Sequence, residues 1–160
     1  VTFLEFGGND CDFDWKMIAD DPTSEHTPKT ILDSFKEQFL SLIERVRSLG
    51  SKPIILSLPP IDSNAYFSFI SRFMNDEQRT NIVRWIGGDI AIITRWHETY
   101  NKALFEISES TATPIIDITT PFENYQGDMM SLLCTDGIHP NAQGHELIAN
   151  SIVGLGEGFY

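Results

Sequence analysis

Val1-Thr2-Phe3-Leu4-Glu5-Phe6-Gly7-Gly8-Asn9-Asp10 opens the chain with a short apolar run rich in residues that favour β-structure, and two glycines end it. This pattern predicts a buried strand followed by a tight loop. Two further apolar runs of the same kind occupy residues 53–58 and 114–118. Strands of continuous apolar character are typical of parallel sheets that are covered on both faces.

Segments with helical periodicity separate these strands. Pro28 is predicted to be the first residue of a helix that ends at Gly50. Residues 64–85 predict one or two short helices, residues 90–108 a longer one, and residues 140–153 the last. The alternation of buried strands with amphipathic helices predicts an α/β fold with a parallel sheet.

Length and charge restrict the possible functions. The chain has 160 residues, the size of one domain, and 41% of them are hydrophobic, which is enough to build a core. The formal net charge is −12, and no basic run interrupts the acidic composition. Such a surface repels phosphate backbones, so neither nucleic acid nor an anionic membrane is expected as a partner.

The cysteine content indicates the redox state of the compartment in which the protein resides. Cys11 and Cys134 are the two cysteines, which is too few for a scaffold held by disulfides and fits a reducing environment. A cytoplasmic location is therefore expected. The first residue is Val1 rather than Met, so we expect the chain to begin within a fold.

Near the other end, Asp136-Gly137-Ile138-His139-Pro140 places a carboxylate three residues before a histidine. Gly137 permits a sharp turn between the two. Pro140 suits the start of a helix, so His139 is expected on a loop at a helix mouth. A carboxylate on Nδ1 would set the ring tautomer and leave Nε2 free as a base. The alternative is a plain turn in which Asp136 caps the backbone.

Three loops are predicted to meet at one edge of the sheet. In parallel sheets the ligand crevice lies beyond the carboxyl ends of the strands. Residues 7–10, the Pro59–Pro60 pair and residues 136–139 all follow strands. From this placement we expect Gly8, Asp10 and Pro60 to contact a substrate.

An aromatic segment follows the second strand. Tyr66 and Phe67 are candidates for an acyl-binding wall or lid over the crevice. The alternative is core packing of a short helix pair. His26 and His97 stand in polar or helical contexts and are predicted to be solvated.

The pair of motifs, Gly7-Gly8-Asn9-Asp10 after a strand and Asp136-Gly137-Ile138-His139 before the last helix, resembles the SGNH/GDSL hydrolase family. The first matches the family's G-x-N-D block and the second its D-x-x-H block. The resemblance implies a flavodoxin-like three-layer α/β/α fold with a parallel sheet. It also implies hydrolysis of carboxylic esters, with short acyl or acetyl groups, through a Ser-His-Asp triad.

The same resemblance implies a role for three residues. His139 would be the general base, Asp136 would orient it, and the Asn9 amide would donate to the oxyanion. No cofactor and no metal would be needed. The expected partner is a small-molecule ester.

Two blocks of the family's pattern are absent from the sequence: the Gly-Asp-Ser block and the block that supplies a glycine oxyanion donor. The Gly-Asp-Ser block that carries the nucleophile should precede G-x-N-D, and Ser34 and Ser63, which follow Asp residues, fit neither its order nor its glycine. We therefore expect residues 1–160 to form roughly the C-terminal four-fifths of an SGNH-hydrolase-like domain, with N-terminal strands and the serine outside the chain. The fragment alone would be inactive and would self-associate through the exposed edge strand at residues 1–6.

Two other functions remain open at this point. One is a non-catalytic binding module on the same fold, which keeps the crevice without a nucleophile. The other is a metal-assisted hydrolase that uses Asp136, His139 and His145.

Overall fold

The computed structural model describes residues 1–155, and a three-stranded parallel sheet lies at its centre. The strands are β1 (Thr2–Leu4), β2 (Pro53–Leu56) and β3 (Ile115–Ile116), in the spatial order β1-β2-β3. Phe3 pairs with Ile54 and Leu56 with Ile116. All four residues of β2 are buried, as expected for a strand with neighbours on both sides and helices on both faces.

Seven α-helices and one short 3₁₀ helix surround the sheet within the described residues. In chain order they are α1 (Trp15–Asp20), α2 (Leu32–Ser48), α3 (Ser63–Ile70), α4 (Asp76–Trp85), α5 (Ile92–Thr111), α6 (Thr119–Glu123), the 3₁₀ helix Met129–Leu132 and α7 (Ala142–Leu155). No helix in this part of the chain has both the length and the apolar character needed to cross a membrane.

The helices form a layer on each face of the sheet. On one face, α2 and α5 pack against Leu4 and Ile55, with Ile43 and Leu104 fully buried between them. On the other face, α7 packs its Ile148 and Ile152 side chains against the second apolar side of β2 and β3. Each fully buried side chain of this size contributes about 1.5–3 kcal/mol to folding. The α/β architecture with a parallel sheet is therefore confirmed.

A separate apolar cluster lies where the chain leaves the strands. The loops after β1 and β2 lead into α1 and α3, which pack with α4 and the start of α5 around Ile18 and Ile82, both fully buried. The two helices predicted within residues 64–85 are present as α3 and α4. Because this cluster adjoins the loops that follow the strands, it forms one wall of the site described below.

Some element boundaries differ from the sequence prediction. Helix α2 begins at Leu32 rather than at Pro28, because the preceding segment pairs with the loop after β1. The Lys29 amide donates to the Asp12 carbonyl at 2.7 Å, and the Thr30 amide donates to the Asp10 carbonyl at 3.0 Å. These backbone hydrogen bonds hold the segment against that loop and outside the helix. Helices α1 and α6 were not predicted, since each is only one to two turns long.

Candidate active site

Asp136 and His139 form a hydrogen-bonded pair on the loop before α7. The Asp136 Oδ2 atom lies 2.8 Å from His139 Nδ1. The other carboxylate oxygen accepts from the backbone amides of Ile138 at 3.0 Å and His139 at 3.1 Å. Burial alone would raise the pKa of Asp136, but these three hydrogen bonds outweigh burial and lower that pKa. The ionised carboxylate therefore holds the proton on Nδ1 and leaves Nε2 as an acceptor.

Gly137 gives this loop its shape. Its φ is +75°, a conformation that strains any residue with a Cβ. Its carbonyl accepts from the Asp62 amide at 2.7 Å, which ties the loop to the start of α3. A Cβ at this position would lie 2.7 Å from the Asp62 carbonyl oxygen and 2.9 Å from the Tyr66 amide nitrogen. Only glycine allows this close approach, so Gly137 sets the position of the Asp136–His139 pair relative to α3.

Asn141 fixes the other side of the loop. Its Oδ1 atom accepts from the amides of Gln143 at 3.0 Å and Gly144 at 3.2 Å, which caps the first turn of α7. Its Nδ2 atom donates to the Ser131 carbonyl at 2.7 Å. The cap explains why α7 begins at Ala142 rather than at the predicted residue 140. It also leaves His139 on a loop at a helix mouth, as the sequence predicted.

Asn9, after β1, is held by a lysine that sequence reasoning did not identify. The Lys29 ammonium donates to Asn9 Oδ1 at 2.8 Å and to Asp12 Oδ2 at 2.9 Å. An ammonium group is only a donor, so it fixes which end of the amide carries the oxygen. The Asn9 Nδ2 group is thereby turned away from Lys29 with its protons available. We call this arrangement of Asn9, Lys29 and Asp12 the lysine clamp.

Two aromatic side chains anchor the clamp to the helical wall. Trp15 Nε1 donates to Asp12 Oδ1 at 2.7 Å, and the Tyr66 hydroxyl donates to the same oxygen at 2.8 Å. The pKa of the Tyr66 hydroxyl is raised mainly by burial and, to a smaller extent, by the negative charge of Asp12. Tyr66 therefore stays protonated and serves as a donor. The network connects the loop after β1 to α1 and α3.

Asn9 and His139 open onto one cavity of about 520 Å³. Its wall contains Gly8, Asp10 and Tyr66, three of the residues expected to contact a substrate. The wall as a whole consists of Glu5, Phe6, Gly7, Gly8, Asn9, Asp10, Cys11, Asp12, Trp15, Leu58, Pro59, Ile61, Tyr66, Ile93, Trp96, His97, Ile138, His139 and Pro140. The expected meeting of the first and last loops at one crevice is thus present.

Pro60 and Phe67, also expected to contact a substrate, lie outside this wall. Pro59 and Ile61 line the cavity instead, because alternate residues of an extended chain point in opposite directions. Phe67 follows Tyr66 on α3 and is rotated by about 100° around the helix axis. It packs into the apolar cluster around Ile82, which is the alternative weighed for it from the sequence.

No serine lines the cavity within residues 1–155. Ser34 lies on α2, and Ser63 is 7% exposed as the first residue of α3. In the same part of the chain, no three histidine, cysteine or carboxylate side chains come together as a metal site would require. The structure therefore offers no support for the combination of Asp136, His139 and His145 as a metal site.

The two cysteines lie in different environments. Cys11 lines the cavity and is buried, whereas Cys134 is exposed, and both are free thiols. Burial first, and then the charge of Asp12, raise the pKa of the Cys11 thiol to about 12. Because the thiolate is the nucleophilic form, Cys11 is inert at neutral pH.

His97 was predicted to be solvated, and this prediction is wrong. Its side chain is 6% exposed and lines the cavity. The sequence contained the signal, since His97 follows Ile93 by four residues and precedes Tyr100 by three, and both belong to the buried face of α5. Burial lowers the pKa of His97 to about 4, so the ring is neutral at neutral pH.

The family model of the GDSL-like lipase/acylhydrolases matches residues 1–147. The chain belongs to the GDSL-like lipase/acylhydrolase family. Among curated relatives of this GDSL-like chain is the GDSL esterase/lipase CPRD49 of Arabidopsis thaliana, which is 28% identical over 156 residues. That alignment covers 96% of the chain but 52% of the relative, so the chain spans about half the length of the curated relative it matches.

Solved structures share the fold of this GDSL-like chain. A lipase/acylhydrolase from Enterococcus faecalis superposes with a TM-score of 0.59 at 19% identity, over 98% of this chain and 60% of that one. Axe2, an acetylxylan esterase from Geobacillus stearothermophilus, superposes with a TM-score of 0.60 at 19% identity, over 95% of this chain and 57% of that one. The predicted family and fold class are thus confirmed.

Proposed function

We propose that this GDSL-like chain supplies the histidine, the aspartate and an oxyanion donor of a serine esterase that hydrolyses carboxylic esters with short acyl groups. The observation that carries the proposal is the common cavity onto which the Asp136–His139 pair and the Asn9 amide open. A base with an oriented tautomer and a directed amide donor are the two groups that acyl transfer requires around a serine.

In the acylation step, His139 Nε2 takes the proton of a serine hydroxyl as the serine oxygen attacks the ester carbonyl. The carbonyl oxygen becomes an oxyanion and accepts from Asn9 Nδ2, while Asp136 stabilises the imidazolium. The intermediate then collapses, the bond to the alkoxy group breaks, and His139 returns its proton to the departing alcohol. In deacylation, water replaces the serine as the attacking group, and the same residues release the carboxylic acid.

We assign the serine to a segment outside residues 1–160. The absence of a serine from the cavity wall within residues 1–155 supports this, as does the shorter length of the chain relative to its relatives. The His139 side chain is 71% exposed, which leaves its ring accessible to a serine from another segment. Under this proposal residues 1–160 alone are inactive on esters.

The cavity supports a small substrate. A volume of about 520 Å³ lies in the lower part of the range of about 300–1,000 Å³ usual for small-molecule sites. One structural neighbour is named as an acetylxylan esterase. We therefore propose acetyl or other short acyl esters. We also propose a cytoplasmic location, which the two free thiols support.

The direct experiment measures turnover of p-nitrophenyl acetate by the full-length protein that contains these residues. His139→Ala should lower kcat by about 10³-fold or more, and Asn9→Ala by about 10²–10³-fold. The matched control is His145→Ala, which removes an exposed histidine of α7 and should change kcat less than about twofold, given the usual neutrality of surface substitutions.

The same preparation distinguishes the rival functions. Activity that EDTA abolishes and zinc restores would contradict the serine mechanism and support metal-assisted hydrolysis. A full-length protein that folds, binds small esters and turns none of them over would support a non-catalytic binding module.

A further inference from the structure

His97 is a buried polar side chain that the proposed reaction does not use. It lies on α5, and more than nine-tenths of its surface is buried against the cavity wall. No hydrogen bond joins its ring to any group within residues 1–155. Every fully buried polar side-chain atom of this region has a hydrogen-bond partner, so the His97 ring nitrogens are not among the fully buried atoms. The ring nitrogens of His97 therefore keep access to the open cavity.

An imidazole in such a place needs a hydrogen-bond partner once a substrate displaces water from the cavity. A polar group removed from water without a partner costs about 1–3 kcal/mol. Burial is the cause of its lowered pKa of about 4, so no nearby carboxylate offsets that cost by stabilising a charged ring. A neutral imidazole presents one N–H donor and one lone-pair acceptor. A hydroxyl group, which donates once and accepts twice, matches both.

The surrounding wall restricts what can reach His97. Ile93 and Trp96 from the same helix, together with Trp15, line this cavity with apolar surface. The Trp15 indole N–H and the Tyr66 hydroxyl are already committed to Asp12. His97 is thus a hydrogen-bonding group without a protein partner on a largely apolar wall.

The charge of the cavity wall further restricts the ligand that can meet His97. Glu5, Asp10 and Asp12 line the cavity, and no lysine or arginine from the described residues does so. Carboxylates that line a cavity repel an anionic substrate that enters it. The group that meets His97 is therefore uncharged rather than a carboxylate or a phosphate.

We infer that His97 anchors an uncharged hydroxyl group of the ester substrate, carried on either its acyl or its alcohol part. The inference rests on the proposed esterase function and names the substrate class of that site: neutral, hydroxyl-bearing esters. A site built to bond a hydroxyl discriminates strongly against the analogue that lacks it, because its own polar group is then left unpaired.

Two pairs of esters of equal size test the inference in the full-length protein. 2-Hydroxyethyl acetate and propyl acetate differ by a hydroxyl on the alcohol part, and methyl glycolate and methyl propanoate differ by a hydroxyl on the acyl part. His97→Leu should lower kcat/KM for the hydroxylated ester of one pair by about tenfold, which corresponds to about 1.4 kcal/mol, and leave its analogue within about twofold. The pair that responds shows which part of the substrate His97 holds.

Two further variants separate binding from folding. His97→Gln keeps a donor and an acceptor and should retain part of the preference for the hydroxylated ester. His26→Leu, a histidine outside the cavity wall, is the matched control and should change neither ratio. Equal losses for both members of each pair in His97→Leu, or no loss for any ester, would overturn the inference.

A binding measurement makes the test independent of turnover. In the His139→Ala background the esters are not consumed, and the ¹⁵N resonances of the His97 ring report its hydrogen bonding. 2-Hydroxyethyl acetate or methyl glycolate should shift these resonances, and propyl acetate and methyl propanoate should not. Failure of all four esters to react in the unmodified protein would refute the esterase proposal. Equal shifts with hydroxylated and plain esters, or none, would refute the role of His97.

Discussion

Replacing Lys29 with Met should lower kcat by misplacing the Asn9 amide. Methionine keeps an unbranched side chain of similar length but removes the ammonium that lies 2.8 Å from Asn9 Oδ1 and 2.9 Å from Asp12 Oδ2. Without it, the amide is free to rotate about its last torsion, and Nδ2 points at the oxyanion for only part of the time. The contact between Asn9 Nδ2 and the oxyanion forms only in the transition state, so KM should stay nearly constant.

The expected magnitude follows from the geometry of the clamp. An oxyanion donor contributes about 10²–10³ in kcat, which is the upper limit for anything that acts through Asn9. The Lys29 side chain is 44% exposed, so solvent screens its hydrogen bond to Asn9 and limits its worth. We therefore expect Lys29→Met to lower kcat by about tenfold, or about 1.4 kcal/mol in the barrier.

A double-mutant cycle is the assay. Four proteins are compared on p-nitrophenyl acetate: unmodified, Lys29→Met, Asn9→Ala and the double variant. Lys29→Met should cost about tenfold alone and almost nothing in the Asn9→Ala background. Lys36→Met is the matched control, because Lys36 makes a similar exposed ion pair, 2.7 Å from Glu106, away from the cavity wall.

The cycle can refute the reasoning. An equal cost of Lys29→Met in both backgrounds would mean that Lys29 acts through general stability or through Asp12 rather than through Asn9. A raised KM with unchanged kcat would mean that Lys29 contacts the substrate.

Three other predictions concern stability and association. Gly137→Ala should lower both the melting temperature and the activity more than Gly87→Ala, because both positions have positive φ but only a Cβ at 137 would clash, at 2.7 Å, with backbone. Above pH 6.5, His97 should not affect the free energy of unfolding. As the pH falls from 6.5 to about 4, that free energy should decrease by up to about 3 kcal/mol, because the unfolded state takes up the proton first. Urea titrations of His97→Gln should lack this decrease. We also propose that residues 1–160 alone self-associate through the β1 edge at residues 1–6, where Phe3 is 48% exposed; light scattering should detect oligomers that Phe3→Lys disperses, and a monomer would contradict the proposal.

Local spacing made the central pair predictable. Asp136 and His139 are three residues apart with Gly137 between them, so the contact between carboxylate and ring depends on one turn of the chain. The three apolar runs likewise predicted the parallel sheet, because continuous apolar strands are typical of such sheets.

The lysine clamp was not predictable in the same way. Lys29 is twenty residues from Asn9, and it arrives there because residues 29 and 30 pair with the loop after β1. That pairing is a tertiary contact with no periodic signal, and it also delays the start of α2 beyond Pro28. The burial of His97, in contrast, could have been predicted from the sequence, because its helical spacing from Ile93 and Tyr100 places it on the buried face of α5.

The most direct test of the account is to find the nucleophile. A fluorophosphonate probe transfers its phosphonyl group to an activated serine oxygen with loss of fluoride, and peptide mass spectrometry locates the labelled residue in the full-length protein. The account predicts one labelled serine outside residues 1–160, with a labelling rate that falls by about 10³-fold in His139→Ala. Label on Ser34 or Ser63, or labelling that does not depend on His139, would contradict it.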